Sequence, residues 1–242
     1  MNLNPEAPEE GLYFNVPEPT YRKAKGYSQT QLKECEFSMA HFFASLTAKK
    51  KSTDAQVDGT LLHGLVLQKR ELFAIVPDHA PNKPTVTQLM ARSPSTATVE
   101  AIAWWRDFEK RNPGKEFVSK KDADEYYRIR DAVMAHPEAA EILDRANQFE
   151  VACFKKHSTG LLMKGLADCI TTDDNEFMVV PDLKTCKPGG ASREEFMDTI
   201  ANFGYYRQAA YYKDLFGASF FLFIAVEKDA PYSVACYWAD PD

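Results

Sequence analysis

Gly165-Leu166-Ala167-Asp168, followed fourteen residues after its aspartate by Asp182-Leu183-Lys184-Thr185, is the stretch from which the rest of the chain can be read. The run Leu161 to Ile170 is mostly apolar, and Phe177 to Val180 is a short apolar run leading into Asp182. The polar link Thr171 to Glu176 carries Asp173-Asp174-Asn175 at its tip, the residue types that a hairpin turn requires. The pattern predicts two antiparallel strands. On the second, the period of two puts Asp182 and Lys184 on one face, while Leu183 points away and leaves its carbonyl near the same edge. If pairing sets Asp168 opposite that edge, three oxygens converge on a hard cation such as Mg2+.

Two carboxylates and one lysine suit metal-assisted cleavage of a phosphodiester. The ester is anionic and repels hydroxide, so a divalent ion must neutralise charge, acidify a bound water and orient it for in-line attack. A nearby lysine positions that water and stabilises developing charge. The plainer reading of the same residues is a turn-closing Asp168 and a solvated cross-strand pair of Asp182 and Lys184.

Other segments offer further polar groups. Gly204-Tyr205-Tyr206-Arg207-Gln208-Ala209-Ala210-Tyr211-Tyr212 reads as a helix in which Gln208 and Tyr212, four apart, share a face, with Tyr205 and Tyr211 free to pack inward. Upstream, Gly59 to Gln68 is an apolar helix carrying His63, a metal ligand or a satisfied core histidine. Gln148 to Phe154 is a strand whose Glu150 shares a face with Ala152 and Phe154, and a carboxylate there needs a partner or a metal.

The ordered set His63, Glu150, Gly165-x-x-Asp168, Asp182-x-Lys184-Thr185 and Gln208-x-x-x-Tyr212 resembles the RecB-type branch of the PD-(D/E)XK nuclease superfamily. Within that branch it is most similar to the nuclease domain of the RecE exonucleases (exonuclease VIII), enzymes of phage and prophage recombination. The resemblance runs from about Tyr27 to Tyr212 and includes Ser28-x-Thr30-x-Leu32, the Gly59-Thr60-Leu61-Leu62-His63 segment, His136-Pro137 and Glu150-Val151. Ala167 stands where the superfamily name has proline, and Pro181 merely precedes the second aspartate. The resemblance implies an α/β fold with a mixed central sheet flanked by helices and a helical N-terminal elaboration. It implies a Mg2+-dependent exonuclease, with Mn2+ as a substitute, that degrades one strand of linear duplex DNA in the 5'-to-3' direction. The product would be a single-stranded overhang for an annealing protein. Catalytic roles fall to Glu150, Asp168, Asp182, Lys184, Gln208 and Tyr212. The metal would be held by His63, Asp168, Asp182 and the Leu183 carbonyl. Gln208 and Tyr212 would contact DNA and brace the site, and Thr185 would hydrogen-bond near the strand end or serve as an ordinary strand residue. A ring-like homo-oligomer is the corresponding assembly, with Pro77 to Pro94 as a contact arm.

Composition bounds these readings. With 242 residues, 45% of them hydrophobic, the chain can bury a sizeable core. It has no run of eighteen apolar residues, and Met1 to Glu10 is acidic and proline-bearing, unlike a signal peptide, so a cytoplasmic protein with no membrane partner is expected. The five cysteines are odd in number and widely spaced, which argues against a disulfide framework or a zinc cluster. The net charge of −6 speaks against a nonspecific nucleic-acid coat, leaving Arg22-Lys23-x-Lys25, Lys49-Lys50-Lys51 and Lys155-Lys156 to meet phosphates or simply to face solvent.

Along the chain, residues 1–26 read as a loosely organised leader and residues 27–242 as one domain, helical over 27–146 and catalytic over 147–242. Ser28 or Thr30 caps a helix running to about Leu46, and Pro77 to Pro94 is an exposed loop. Helices are expected over Ser95 to Lys110, over Lys121 to Ala135 with Ser119 as cap, over Pro137 to Ala146 and over Ser192 to Phe216. A final hairpin joins Ser219 to Glu227 with Tyr232 to Trp238, and an ending directly after a strand suggests truncation at the C-terminus. The segment Tyr27 to Leu32, with Arg22, Ser28 and Thr30, is a candidate to hold the terminal phosphate of the digested strand, or only a helix cap. A structure-specific endonuclease of the same superfamily and a non-cutting scaffold for DNA or a partner remain the alternatives.

Overall fold

The computed structural model describes residues 3–47, 53–172 and 176–239. Its sheet is best understood from strand β7 (Phe220–Glu227), whose sequence Phe-Phe-Leu-Phe-Ile-Ala-Val shows no alternation. Such a run belongs to a strand covered on both faces. Phe221, Phe223 and Ala225 pack into one apolar cluster, while Leu222, Ile224 and Val226 pack into another on the opposite side. The first cluster includes Phe196, Ala209, Leu215 and Phe216 of helices α9 (Arg193–Phe203) and α10 (Tyr205–Phe216). The second includes Leu61, Leu62, Ile129, Val133 and Leu143 of α4 (Asp54–Val66), α7 (Lys120–Ala135) and α8 (Pro137–Arg145). The result is a helix/sheet/helix sandwich, the expected α/β architecture.

The sheet has six strands in the order β1 (Gly11–Tyr13), β4 (Gln148–Lys156), β5 (Leu162–Thr172), β6 (Met178–Cys186), β7 and β8 (Val234–Ala239). All neighbours are antiparallel except β6 and β7, which are parallel. A parallel pair requires a crossover, and α9 and α10 supply it. The helical run predicted over Ser192 to Phe216 is interrupted at Gly204, whose φ of 67° is the left-handed conformation that ends one helix and lets the next begin. A small parallel pair, β2 (Phe73–Ile75) with β3 (Glu116–Val118), lies apart from the main sheet with Trp105 and Phe108 of α6 (Thr96–Arg111) packed on it.

The predicted helices over 95–110, 121–135 and 137–146 are present, with Ser95 and Ser119 as caps, and the final hairpin is present as β7 and β8. β5 and β6 are antiparallel as expected, while the turn residues 173–175, like the Lys49 to Lys51 cluster, lie outside the described residues. Two expectations are corrected. Residues 11–24 are not a loose leader: β1 pairs with β4, α1 (Glu18–Lys23) follows, and Tyr13, Val16 and Ala24 are buried with Ala152 and Phe154. A three-residue strand among prolines and charges carries no periodic signal of its own. Nor does one helix run from Ser28 to Leu46. The chain forms α2 (Gln29–Lys33), a 3-10 turn and then α3 (Met39–Thr47), because the Ser38 hydroxyl accepts from the His41 amide and opens a new helix. Pro77 to Pro94 is largely exposed and holds only the short α5 (Val86–Leu89).

One glycine sets the distance between α10 and the sheet. A Cβ on Gly165 would stand 2.6 Å from Leu215 Cδ2 and 3.2 Å from Phe216 Cε2. Gly165→Val should therefore lower unfolding stability by about 1–3 kcal/mol through overpacking, measurable by urea denaturation. A stability unchanged within error would show that α10 has room to retreat.

Candidate active site

Strand register gathers the acidic residues. Phe149 pairs with Cys169 and Val151 with Ala167, so Glu150 stands opposite Asp168 across β4 and β5. Pairing of β5 with β6 covers Thr171 with Val179 and Thr172 with Met178, and the two strands are no longer paired where they carry Asp168 and Asp182. Residues opposite one another on neighbouring strands share a face. Glu150 and Asp168 thus form a row across β4 and β5, with Asp182 on the next strand.

His63 enters this row from the last turn of α4. Its Nδ1 lies 2.7 Å from Asp168 Oδ2 and its Nε2 lies 2.9 Å from the Leu183 carbonyl oxygen. Two oxygen acceptors on two ring nitrogens are satisfied only by the doubly protonated ring. Burial acts to lower the His63 pKa, but the Asp168 charge and hydrogen bond outweigh it and raise it. Burial likewise opposes the Asp168 charge, and His63, with hydrogen bonds from His63 and Gln68, overcomes it and holds the carboxyl below its ordinary range.

A second cluster adjoins the first. Lys184 Nζ lies 2.7 Å from Asp182 Oδ2 and donates to Gln208 Oε1 at 3.1 Å, while Gln208 Nε2 donates to Asp182 Oδ1 at 2.9 Å. Lys184 and Asp182 are both largely withdrawn from solvent, and the Tyr205 ring sits 4.4 Å from the ammonium. Burial would lower the Lys184 pKa, and Asp182 reverses that and raises it, so the lysine is a cation. Tyr212, four residues after Gln208, donates its hydroxyl to the Leu166 carbonyl at 3.0 Å. Burial raises its pKa well above 10, which makes it a brace between α10 and β5 and not a base.

Glu150 is engaged elsewhere, with Oε2 accepting from Arg70 Nη1 at 2.6 Å. Its φ of 47° is unusual for a residue with a side chain in mid-strand, a conformation that persists only where its surroundings impose it. Thr185 is a strand residue in register with Val226. Arg22, Ser28 and Thr30 have local settings: Arg22 pairs with Glu18, the Ser28 amide and hydroxyl both meet Gln31 Oε1, and Thr30 is exposed on α2. The Ser28–Gln31 contacts are those of a capped helix start, and the Arg22–Glu18 pair lies within α1.

Three site residues escaped the sequence reading. Gln68 donates to Asp168 Oδ1 at 2.8 Å, Arg70 holds Glu150, and Tyr205 covers Lys184. Gln68 and Arg70 follow the end of α4, where helical periodicity no longer says which way a side chain faces. Tyr205 was expected inside, and its position beside Gln208 in the crossover helix was the available signal.

The donor set fits a divalent ion. Asp182 Oδ2 is buried and, despite its nearness to Lys184, takes no well-directed hydrogen bond. An anionic oxygen so placed, with the Asp168 carboxylate and the Leu183 carbonyl in the adjoining cluster, is oxygen-rich in the way hard cations favour. Asp168, Asp182, the Leu183 carbonyl and His63, once deprotonated, would hold such an ion. When bound, it supplies Lewis acidity and charge neutralisation at a phosphate. This chain's own contribution is orientation: Gln68 fixes Asp168, Gln208 fixes Asp182 and Lys184, and Lys184 offers a buried positive charge beside the reacting position.

No curated protein matches the sequence. Among solved structures, a "Putative exonuclease" from Eubacterium rectale has a TM-score of 0.57 at 12% identity, over 95% of this chain and 79% of that one, a likeness of fold. The structure of SSO0001, with a TM-score of 0.32 at 17% identity over 59% of this chain and 61% of that one, carries no argument. PDDEXK nucleases generally use divalent metals, in keeping with the donor set above. With a match over residues 28–242, the chain belongs to the family described as "PDDEXK-like domain of unknown function (DUF3799)".

Proposed function

We propose that this protein is a Mg2+-dependent deoxyribonuclease that degrades one strand of linear duplex DNA from an end, 5' to 3', with Mn2+ able to replace Mg2+. The observation that carries the reading is that His63 joins Asp168 to the Leu183 carbonyl, whose neighbours Asp182 and Lys184 form a cluster with Gln208. In this proposal Asp168, Asp182, Leu183 and His63 hold the metal, Lys184 positions the attacking water, and Gln208 and Tyr212 brace the site against the DNA. Glu150, now held by Arg70, would help order water at the metal or hold a second ion. The single-stranded product serves recombination through an annealing protein in a bacterial or phage-infected cytoplasm, and the nuclease works as a ring-like oligomer. Among the described residues no helix is long and apolar enough to cross a membrane.

Matched linear and covalently closed circular duplexes separate the possibilities. With Mg2+, the linear form should be consumed and the circle spared, and chelation by EDTA should stop digestion. Cutting of the circle would favour an endonuclease, and binding of either form without cleavage would favour a scaffold. Light scattering on the same preparation reads the assembly, where a monomer at micromolar concentration would speak against a ring.

A further inference from the structure

Where the start of α8 meets strand β8, three ligand-type side chains from different elements come together. His136 is the N-cap of α8, Glu138 lies in its first turn, and Cys236 lies on β8. Their ligand atoms all fall within 4.8 Å of one another, and each residue is partly exposed. Cys236 Sγ stands 3.8 Å from His136 Nδ1. Sulfur and imidazole nitrogen bound at Zn2+ distances in a tetrahedron lie about 3.6 Å apart, so the pair is already close to ligation spacing, and binding would replace the long 3.4 Å cap contact that Nδ1 accepts from the Ala139 amide. Glu138 Oε1 accepts from the Trp238 indole at 2.6 Å, an outer contact of the kind that orients a ligating carboxylate.

We infer that His136, Glu138 and Cys236 form a zinc site that clips strand β8 to the start of α8, separate from the candidate catalytic metal. A thiolate, an imidazole and one carboxylate suit Zn2+ and not Mg2+, which takes oxygens. Three protein ligands leave a fourth position for water. The cysteine count and spacing predicted no such site, because its members are a hundred residues apart and meet only when β8 docks beside α8.

Co2+ is a direct probe, since a thiolate ligand gives a near-ultraviolet sulfur-to-metal charge-transfer band that oxygen and nitrogen ligands do not. The full chain, stripped of metal and titrated with Co2+ in excess Mg2+ that fills the candidate catalytic site, should develop this band at one equivalent per chain, and Zn2+ should abolish it. The band should be absent in Cys236→Ser and retained in Cys35→Ser, which alters an exposed cysteine elsewhere. Glu138→Gln should bind Co2+ at least tenfold more weakly. Circular dichroism of the metal-free variants ensures that each is folded before it is scored. Absence of the band in the parent, its persistence in Cys236→Ser, its loss in Cys35→Ser, or an unchanged affinity in Glu138→Gln would each overturn the assignment.

Discussion

Asp182→Asn and Lys184→Met should each lower DNA cleavage by at least a hundredfold, about 2.7 kcal/mol in barrier height. Asp182 supplies an oxygen that has no directed hydrogen bond, and Lys184 supplies the buried cation beside it. Neither effect should come from unfolding alone, and the structure says how to tell. The two charges compensate one another in a setting largely closed to water, so removing one strands the other and lowers stability. Removing both leaves no uncompensated charge. The Asp182→Asn, Lys184→Met double variant should therefore regain thermal stability over either single variant while remaining inactive. Activity within tenfold of the parent in a folded single variant would remove both residues from the chemistry.

His63→Ala should weaken Mn2+ binding at least tenfold, read by calorimetry without DNA. The sign of the pH dependence follows from the geometry. The folded protein favours the protonated ring, because the Asp168 charge raises the His63 pKa against the opposing effect of burial. A metal ligand must be the neutral ring, so the ion competes with a proton. Affinity should rise with pH from below the ordinary histidine range to above it, and level off once pH exceeds the raised value. His63→Ala should lose that His63-dependent rise. An unchanged affinity and pH profile in the variant would make His63 a support for Asp168 and Leu183 and not a ligand.

The sequence by itself determined those features whose cause is local. The cap at Ser119, the apolar stripe on α7, the apolar runs around Asp168 and before Asp182, and the final hairpin each act within a few residues. The spacing of Asp182 and Lys184 likewise fixed a shared face, since a strand repeats every two residues. Tertiary structure alone decided which side chains complete the site. His63 reaches Asp168 across more than a hundred positions, Gln68 and Arg70 are aimed by the chain after a helix has ended, and Gln208 is delivered by a crossover that one parallel strand pair demands. The same holds for β1, too short to announce itself, and for Cys236, whose neighbours on α8 are set by packing of a helix on a sheet edge. Local pattern acts over one or two turns of chain, whereas long-range pairing depends on how whole faces are buried, and no short window of sequence contains that information.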